Sequence, residues 1–272
     1  MRLQNAVRQF YFWMKGNGQI RTARLYLTTL EGLPEVELEK ITPAMLQEYV
    51  DRFNGLAAST LNLKKAALRS FFRWAMDADY IAKNPARMLR AEKLASVDAK
   101  YFTAEQVAQF RAVLQGVSAR DRLLFEFYLQ TGCRLCEPLA LNAGDVRGRD
   151  AILINGKGHK PRIVFLSPHL TALIASTLNG QADDSPLFQS SQVRRLSATR
   201  VQSLFKHYLT MAGIQGRFGV HSLRHTFATQ VYQKTRDLRL TQDLLGHVNP
   251  STTARYAHIH ESEKRAAVAT LF

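Results

Sequence analysis

Cysteine is scarce in this chain of 272 residues. Its two cysteines, Cys133 and Cys136, stand at CxxC spacing. A structural zinc site takes four ligands and there is no second cysteine pair to complete one, so both read as small, partly buried fillers rather than half of a metal or redox centre. Long apolar runs are missing as well. No stretch approaches the roughly 20 residues that cross a bilayer, and the opening MRLQNAVRQFYFWMKGNG lacks a signal-peptide cleavage pattern, so the expected location is the cytoplasm. Internal repeats and low-complexity segments are also absent. Acidic residues are few: 22 Asp and Glu against 37 Lys and Arg leave a formal charge of +15. A hydrophobic content of 46% suffices for two packed domains. The excess of cations favours a polyanionic partner, nucleic acid first; a basic protein whose cations merely solvate its surface is the alternative at this level.

The chain reads as two blocks. Residues 1–92 are helical, with helices expected over Gln19–Leu30, Thr42–Phe53 and Ser59–Asp77; Thr42-Pro43 supplies a cap and a first-turn proline. In the third helix Leu68, Phe71, Phe72 and Ala75 follow i, i+3, i+4, i+7 and form a core face, which leaves Lys64, Lys65, Arg69 and Arg73 for solvent or phosphate. Asn84-Pro85 ends this block. The polar run RMLRAEKLASVDAK, Arg87–Lys100, suits a linker, and we bound the linker between the two domains at residues 93–102. From Thr103 to Phe272 the chain is again mainly helical, with helices expected at Ser197–Ala212, His221–Tyr232, Leu238–Leu245 and Thr252–His258. Two apolar, β-rich runs interrupt it, Ala151–Asn155 and Pro161–Ser167; the loop GKGHK between them makes a hairpin. The expected fold is therefore mainly α with one small β-hairpin.

The chemistry is concentrated in this second block: Arg134 in TGCRLCE, Lys157 in GKGHKPR, His221 and Arg224 in HSLRHTFAT, His247 in LLGH, and then Tyr256. An arginine offers a planar fork of donors that fits two phosphate oxygens. Two forks can neutralise the charge that builds as phosphorus becomes five-coordinate. His221 and Arg224 are three apart at the start of an expected helix, so they share a face near a terminus that itself favours an anion. Tyr256 adds an oxygen nucleophile. A phenol titrates near pH 10 and attacks poorly at neutral pH unless neighbouring cations lower that value. The set suits attack on a phosphodiester. A metal between His221 and His225, at i, i+4, is disfavoured because the glutamate of an HExxH motif is missing.

TGCRLCEPLALNAGDV, GKGHKPR, HSLRHTFATQ and LLGHVNPSTTARYAHI, in that order, resemble the tyrosine recombinase (phage integrase, Xer-like) family, most strongly over Thr103–Ile259. The resemblance implies a two-domain DNA clamp, with a helical core-binding domain and a catalytic domain. It also implies that Arg134 and Arg224 hold the non-bridging oxygens of the scissile phosphate while His221 and His247 assist through hydrogen bonds. Tyr256 then forms a 3′-phosphotyrosyl link that stores the bond energy, so neither ATP, nor a metal, nor any other cofactor is required. Lys157 matches the family's general acid, with Lys160 and Arg162 as nearby basic alternatives and further DNA contacts. Glu137 matches the acidic residue that orients the first arginine. Cys136 and Pro138 depart from the family pattern and put local geometry in question, although proline is tolerated in a first helical turn.

As partners, the resemblance implies double-stranded DNA at specific sites and a homotetramer that exchanges strands through a Holliday junction. It casts Glu261–Phe272 (ESEKRAAVATLF) as a segment that couples subunits; packing within its own domain is the alternative. A type IB topoisomerase would share the tyrosine chemistry and relax one duplex, and a silent DNA-binding regulator would share only the fold. A basic clamp of this kind displaces about 0.9 counterion per phosphate it neutralises on B-DNA. DNA affinity should therefore fall steeply on a log–log plot as NaCl is raised, and a flat plot would place the excess charge away from DNA.

Overall fold

The computed structural model describes residues 1–94, 100–155 and 161–246. The chain divides into two compact units, Met1–Ser96 and Val97–Phe272. In the first, α1 (Leu3–Gly16), α2 (Ile20–Leu30), α3 (Pro43–Asp51) and α4 (Ala58–Asp77) surround an aromatic core. α1 was not among the expected helices, although Leu3, Ala6, Val7, Phe10 and Met14 recur every three or four residues and form its buried stripe. The Thr42-Pro43 cap is in place: Thr42 Oγ1 accepts from the Met45 amide at 3.2 Å. α4 buries Leu68, Phe71, Phe72 and Ala75 as its period requires, and Phe71 meets Phe10 edge-on at 5.6 Å.

The cations of α4 differ from the expected solvent-facing row. Lys65 is one helical turn from Leu61 and from Leu68, both buried, and it lies on the inward side with them, 7% exposed. A buried ammonium needs a partner. Glu92 supplies it, with Oε1 2.5 Å from Lys65 Nζ. Lys65 is thus a structural cation and not one left for solvent or phosphate. Lys64 lies over the Phe53 ring at 4.0 Å, Arg69 Nη1 donates to the Leu89 carbonyl, and only Arg73, beside Asp77, is largely exposed. The run expected to begin a linker at Arg87 is also anchored. Leu89 is buried, and Glu92 exchanges two backbone hydrogen bonds with the Asn62 side chain, at 2.9 and 2.6 Å.

The second unit contains α5 (Ala104–Gln115), α6 (Ala119–Thr131), α7 (Glu137–Ala140), the strands β1 (Ala151–Asn155) and β2 (Pro161–Phe165), then α8 (Pro168–Thr177), α9 (Ala198–Met211), α10 (His221–Thr235) and α11 (Leu238–Leu245). Side-chain oxygens cap α5, α6, α8, α9 and α11 at Thr103, Ser118, Ser167, Ser197 and Asp237. The buried Phe102 enters this core, and its amide donates to Thr226 Oγ1 of α10 at 2.8 Å. α6 runs through the centre and is buried on nearly every side. Its two buried acids are paired: Asp121 accepts from the Tyr208 hydroxyl at 2.6 Å, and Glu126 takes a bidentate Arg111.

The strands pair antiparallel from Ala151↔Phe165 to Asn155↔Pro161. β2 stops at Phe165 rather than at Ser167, because the Ser167 hydroxyl is committed to capping α8. The expected helix Thr252–His258 and the segment Glu261–Phe272 lie outside the described residues. Within the described residues the fold is mainly helical with one two-stranded sheet, as its sequence pattern implies.

Glu92→Ala strands the Lys65 ammonium and should cost about 1–3 kcal/mol in urea denaturation. Lys65→Met added to it removes the stranded charge while keeping the stem, and should restore most of that loss. Equal stability of Glu92→Ala and the parent chain would show that the pair contributes nothing.

Candidate active site

α6 ends at Gly132, which adopts the left-handed conformation at φ 61°. A Cβ at this position would lie 2.5 Å from Phe227 Cδ1 and 3.1 Å from Leu245 Cδ2, so glycine answers both the dihedral and the close packing. The chain then turns through Cys133–Cys136 into α7. In this turn the Arg134 amide donates to Glu137 Oε2 at 2.7 Å, and Arg134 Nη1 donates to Oε1 at 2.8 Å. Pro138 occupies the first turn of α7, where its missing N–H removes no helix bond. Pro138, one of the two departures noted in the sequence, is thus accommodated locally, and Cys136 stands exposed at the N-cap of α7.

Glu137 is nearly buried, and Arg162 of β2 grips it from the other side: Nη1 to Oε1 at 2.9 Å and Nη2 to Oε2 at 2.7 Å. Burial alone would push the carboxyl's pKa up. Hydrogen bonds from Arg162, then from the Arg134 amide and guanidinium, prevail, and Glu137 titrates below the usual carboxylate range. Burial likewise works against the Arg162 charge, and Glu137 more than restores it, so the Arg162 pKa is raised. Beneath them burial pushes the Cys133 thiol up to about 11, which keeps it protonated. Arg162 is therefore not a loop cation offered to DNA as expected. Its side chain is 8% exposed and committed to Glu137.

Arg224 is 2% exposed on α10. Its Nη1 donates to the Gly132 carbonyl at 2.6 Å and its Nη2 to the Leu245 carbonyl at 2.7 Å. Those carbonyls close α6 and α11, and Arg134 Nη2 comes within 3.4 Å of the next one, that of Gly246. The two arginines expected to share a phosphate thus converge on the Leu245–Gly246 turn, which leads directly to position 247. His221 is the first residue of α10 and is exposed, and its ring meets His225 edge-on at 4.8 Å. The face shared by His221 and Arg224 therefore runs from solvent into the core. Lys157, Lys160, His247 and Tyr256 lie outside the described residues. Among the described residues no three His, Cys, Asp or Glu side chains group as metal ligands.

The place of Arg162 was the part that sequence reasoning missed. Strand alternation read from the sequence favours Ile163 and Phe165 as the inward pair; in the structure Arg162 pairs with the buried Ile154, and Val164, two residues on, is buried, so Arg162 points inward. Ile163 and Phe165, the more apolar pair, face outward and are exposed together with Leu153.

Residues 19–79 match the family model described as phage integrase, N-terminal SAM-like domain, and residues 100–263 match that of the phage integrase family. The chain belongs to the phage integrase family. Among proteins similar to this family member, tyrosine recombinase XerC of Thermodesulfovibrio yellowstonii is 29% identical over 259 residues, which cover 88% of this chain and 85% of that protein. XerC of Haemophilus ducreyi is 35% identical over 214 residues, covering 75% and 70%. In fold, the chain is similar to XerH site-specific recombinase bound to its difH substrate, with a TM-score of 0.73 at 24% identity over 93% of this chain and 80% of that one. It is also similar to a lambda integrase tetramer bound to a Holliday junction, with a TM-score of 0.71 at 20% identity over 92% and 78%.

In this phage integrase family member the Gly132 carbonyl, with that of Leu245, holds Arg224. Gly132→Ala should destabilise the chain by about 1–3 kcal/mol through dihedral strain and overpacking against Phe227, and it should displace the carbonyl that holds Arg224. Thermal melts read the first effect and single-turnover DNA cleavage the second; wild-type values in both would mean that the close packing is dispensable.

Proposed function

We propose that this chain is a site-specific DNA recombinase that cuts and rejoins DNA through Tyr256. The observation that carries the reading is the convergence of the Arg134 and Arg224 guanidinium groups on the Leu245–Gly246 turn, directly ahead of His247 and ten residues from Tyr256 in sequence. Two positive forks fixed in one place before substrate arrives stabilise a five-coordinate phosphorus without reorganising at the moment of reaction.

In this scheme the Tyr256 oxygen gives up its proton to solvent and attacks phosphorus. An Oη–P bond forms and the bond from phosphorus to the 5′ oxygen breaks. Lys157 gives the departing oxygen its proton, with Arg134 and Arg224 on the non-bridging oxygens and His221 and His247 donating hydrogen bonds. The 5′-hydroxyl of the partner strand then attacks the phosphotyrosine: a new bond from phosphorus to the 5′ oxygen forms, the Oη–P bond breaks and the Tyr256 phenol regains its proton, so the exchange is completed with the ester energy conserved and no nucleotide or metal is consumed. Glu137 acts through Arg134, whose fork it orients.

Four protomers on two DNA sites then exchange strands pairwise through a Holliday junction, in the cytoplasm where chromosomal or plasmid DNA is at hand. Residues 1–92 form the core-binding domain and residues 103–272 the catalytic domain, joined near residues 93–102; Glu261–Phe272 couples neighbouring subunits. Lys64, Arg69, Arg73 and Lys160 are the cations assigned to the DNA backbone. Lys65 and Arg162 leave that group because each neutralises a carboxylate of its own unit.

On a nicked suicide substrate in excess EDTA, the wild-type protein should accumulate a covalent adduct, while Tyr256→Phe binds the same DNA and traps none. Adduct formation by Tyr256→Phe would overturn the assignment of the nucleophile, and loss of wild-type cleavage on chelation would overturn the metal-free scheme. On a supercoiled plasmid with paired sites, recombinant products support strand exchange and relaxation alone opposes it.

A further inference from the structure

We propose that Arg162 is a positioning residue for the phosphate-binding arginine. By clamping both carboxylate oxygens of Glu137 from β2 it fixes the acceptor that presents Arg134, and it joins the hairpin to the Gly246 turn. The inference rests on the recombinase reading above and concerns a residue for which that reading has no chemical step.

The geometry has three parts. Arg162 and Arg134 approach one carboxylate from opposite elements, with four guanidinium or amide hydrogen bonds between 2.7 and 2.9 Å. A planar fork on both oxygens fixes the orientation of the carboxylate plane, which a single bond does not. The Arg162 stem also fills the space beside Gly246: a Cβ there would lie 2.6 Å from Arg162 Cδ. Arg162 Nη2 further reaches Cys133 Sγ at 3.7 Å, directly before Arg134 in the chain. One side chain on β2 therefore touches the turn bearing Arg134 and the turn at Gly246 that precedes His247 in sequence. Without it the buried carboxylate keeps Arg134 as its one arginine partner among the described hydrogen bonds, and the guanidinium gains freedom to leave the position that the phosphate requires. Misplacing a catalytic fork by an ångström is enough to matter.

A role through Glu137 differs from simple packing in its pH dependence. The charged and titratable groups facing the pair, among the described residues, are Arg134 and Cys133 in the turn, Arg224 on α10 and Tyr128 on α6. Burial raises Tyr128 and Cys133 well above neutral pH, so neither ionises in the acid range. The folded pKa of Glu137 is depressed, so the stability it contributes is present above its unfolded value and is lost as pH falls through the folded one. Arg162 supports only the ionised form of Glu137.

The test measures thermal midpoints of the full chain without DNA from about pH 7 to about pH 3, for wild type, Arg162→Ala, Glu137→Gln and the double variant. The deficit of Arg162→Ala against wild type should shrink as pH falls, and Arg162→Ala should show no such pH trend when added to Glu137→Gln. In parallel, single-turnover adduct formation at neutral pH should drop about 10²-fold in Arg162→Ala, the scale of losing one preorganised donor. Arg162→Lys, which cannot grip both oxygens, should recover only part of it. The salt slope of DNA binding should stay that of wild type. A pH-independent deficit that persists in the Glu137→Gln background would reduce Arg162 to a filler. Wild-type cleavage by Arg162→Ala would make the pair purely structural, and a salt slope reduced by about one phosphate would make Arg162 a DNA contact; either overturns the proposal. If the wild-type chain forms no adduct, the recombinase reading fails instead, and the melting data still decide the Glu137 pairing.

Discussion

A buried guanidinium has to be satisfied or the fold does not hold, and Arg224 sets this constraint for the catalytic unit. Its donors end on the carbonyls of Gly132 and Leu245, at the C-terminal ends of α6 and α11. Those ends carry the negative pole of each helix, and both stop in a left-handed glycine, at φ 61° and 63°, that turns the chain away and leaves the last carbonyls available. Two helices far apart in sequence are thereby aimed at one cation. The same cation is the one proposed above to hold phosphate, and under that proposal the interaction that closes the unit also places the charge that the chemistry needs.

Beside this centre a single carboxylate is set between two further cations. Glu137 lies between Arg134 and Arg162, and its low pKa records that the two arginines outweigh its burial. Three positive groups sit close together, and without a carboxylate among them their mutual repulsion would oppose folding. One negative charge lowers that repulsion while leaving the cluster cationic, a balance that suits the phosphate-binding role proposed for it.

Much of this was legible in the sequence, and the exceptions share a cause. The period of α4, the cap at Thr42, the two strands at 151–155 and 161–165 and the helix opening at His221 all follow from local patterns, because neighbours in the chain decide them. The grouping of Arg134, Glu137 and Arg224 was legible from motif order. Lys65 and Arg162 were misread because burial of a cation is decided by its carboxylate, and those partners, Glu92 and Glu137, are 27 and 25 residues away. α1 was missed for a simpler reason: its stripe of Leu3, Val7, Phe10 and Met14 is interleaved with exposed Phe12 and Trp13, which blurs the contrast between its faces.

The alternation along β2 carries one more consequence. Arg162 faces inward and Ile163 outward, so sliding β2 by a single residue against β1 would bring an isoleucine to the Glu137 carboxylate and send the guanidinium to solvent. Hydrophobicity alone would not oppose that slip, since Ile163 and Phe165 are more apolar than the residues they would replace. The ion pair therefore serves as a register lock: it makes the one pairing that buries a charge cheaper than the neighbouring one that buries more hydrocarbon. Among the described residues the sheet has two strands, and with few ladder bonds to define its alignment its phase is set by electrostatics.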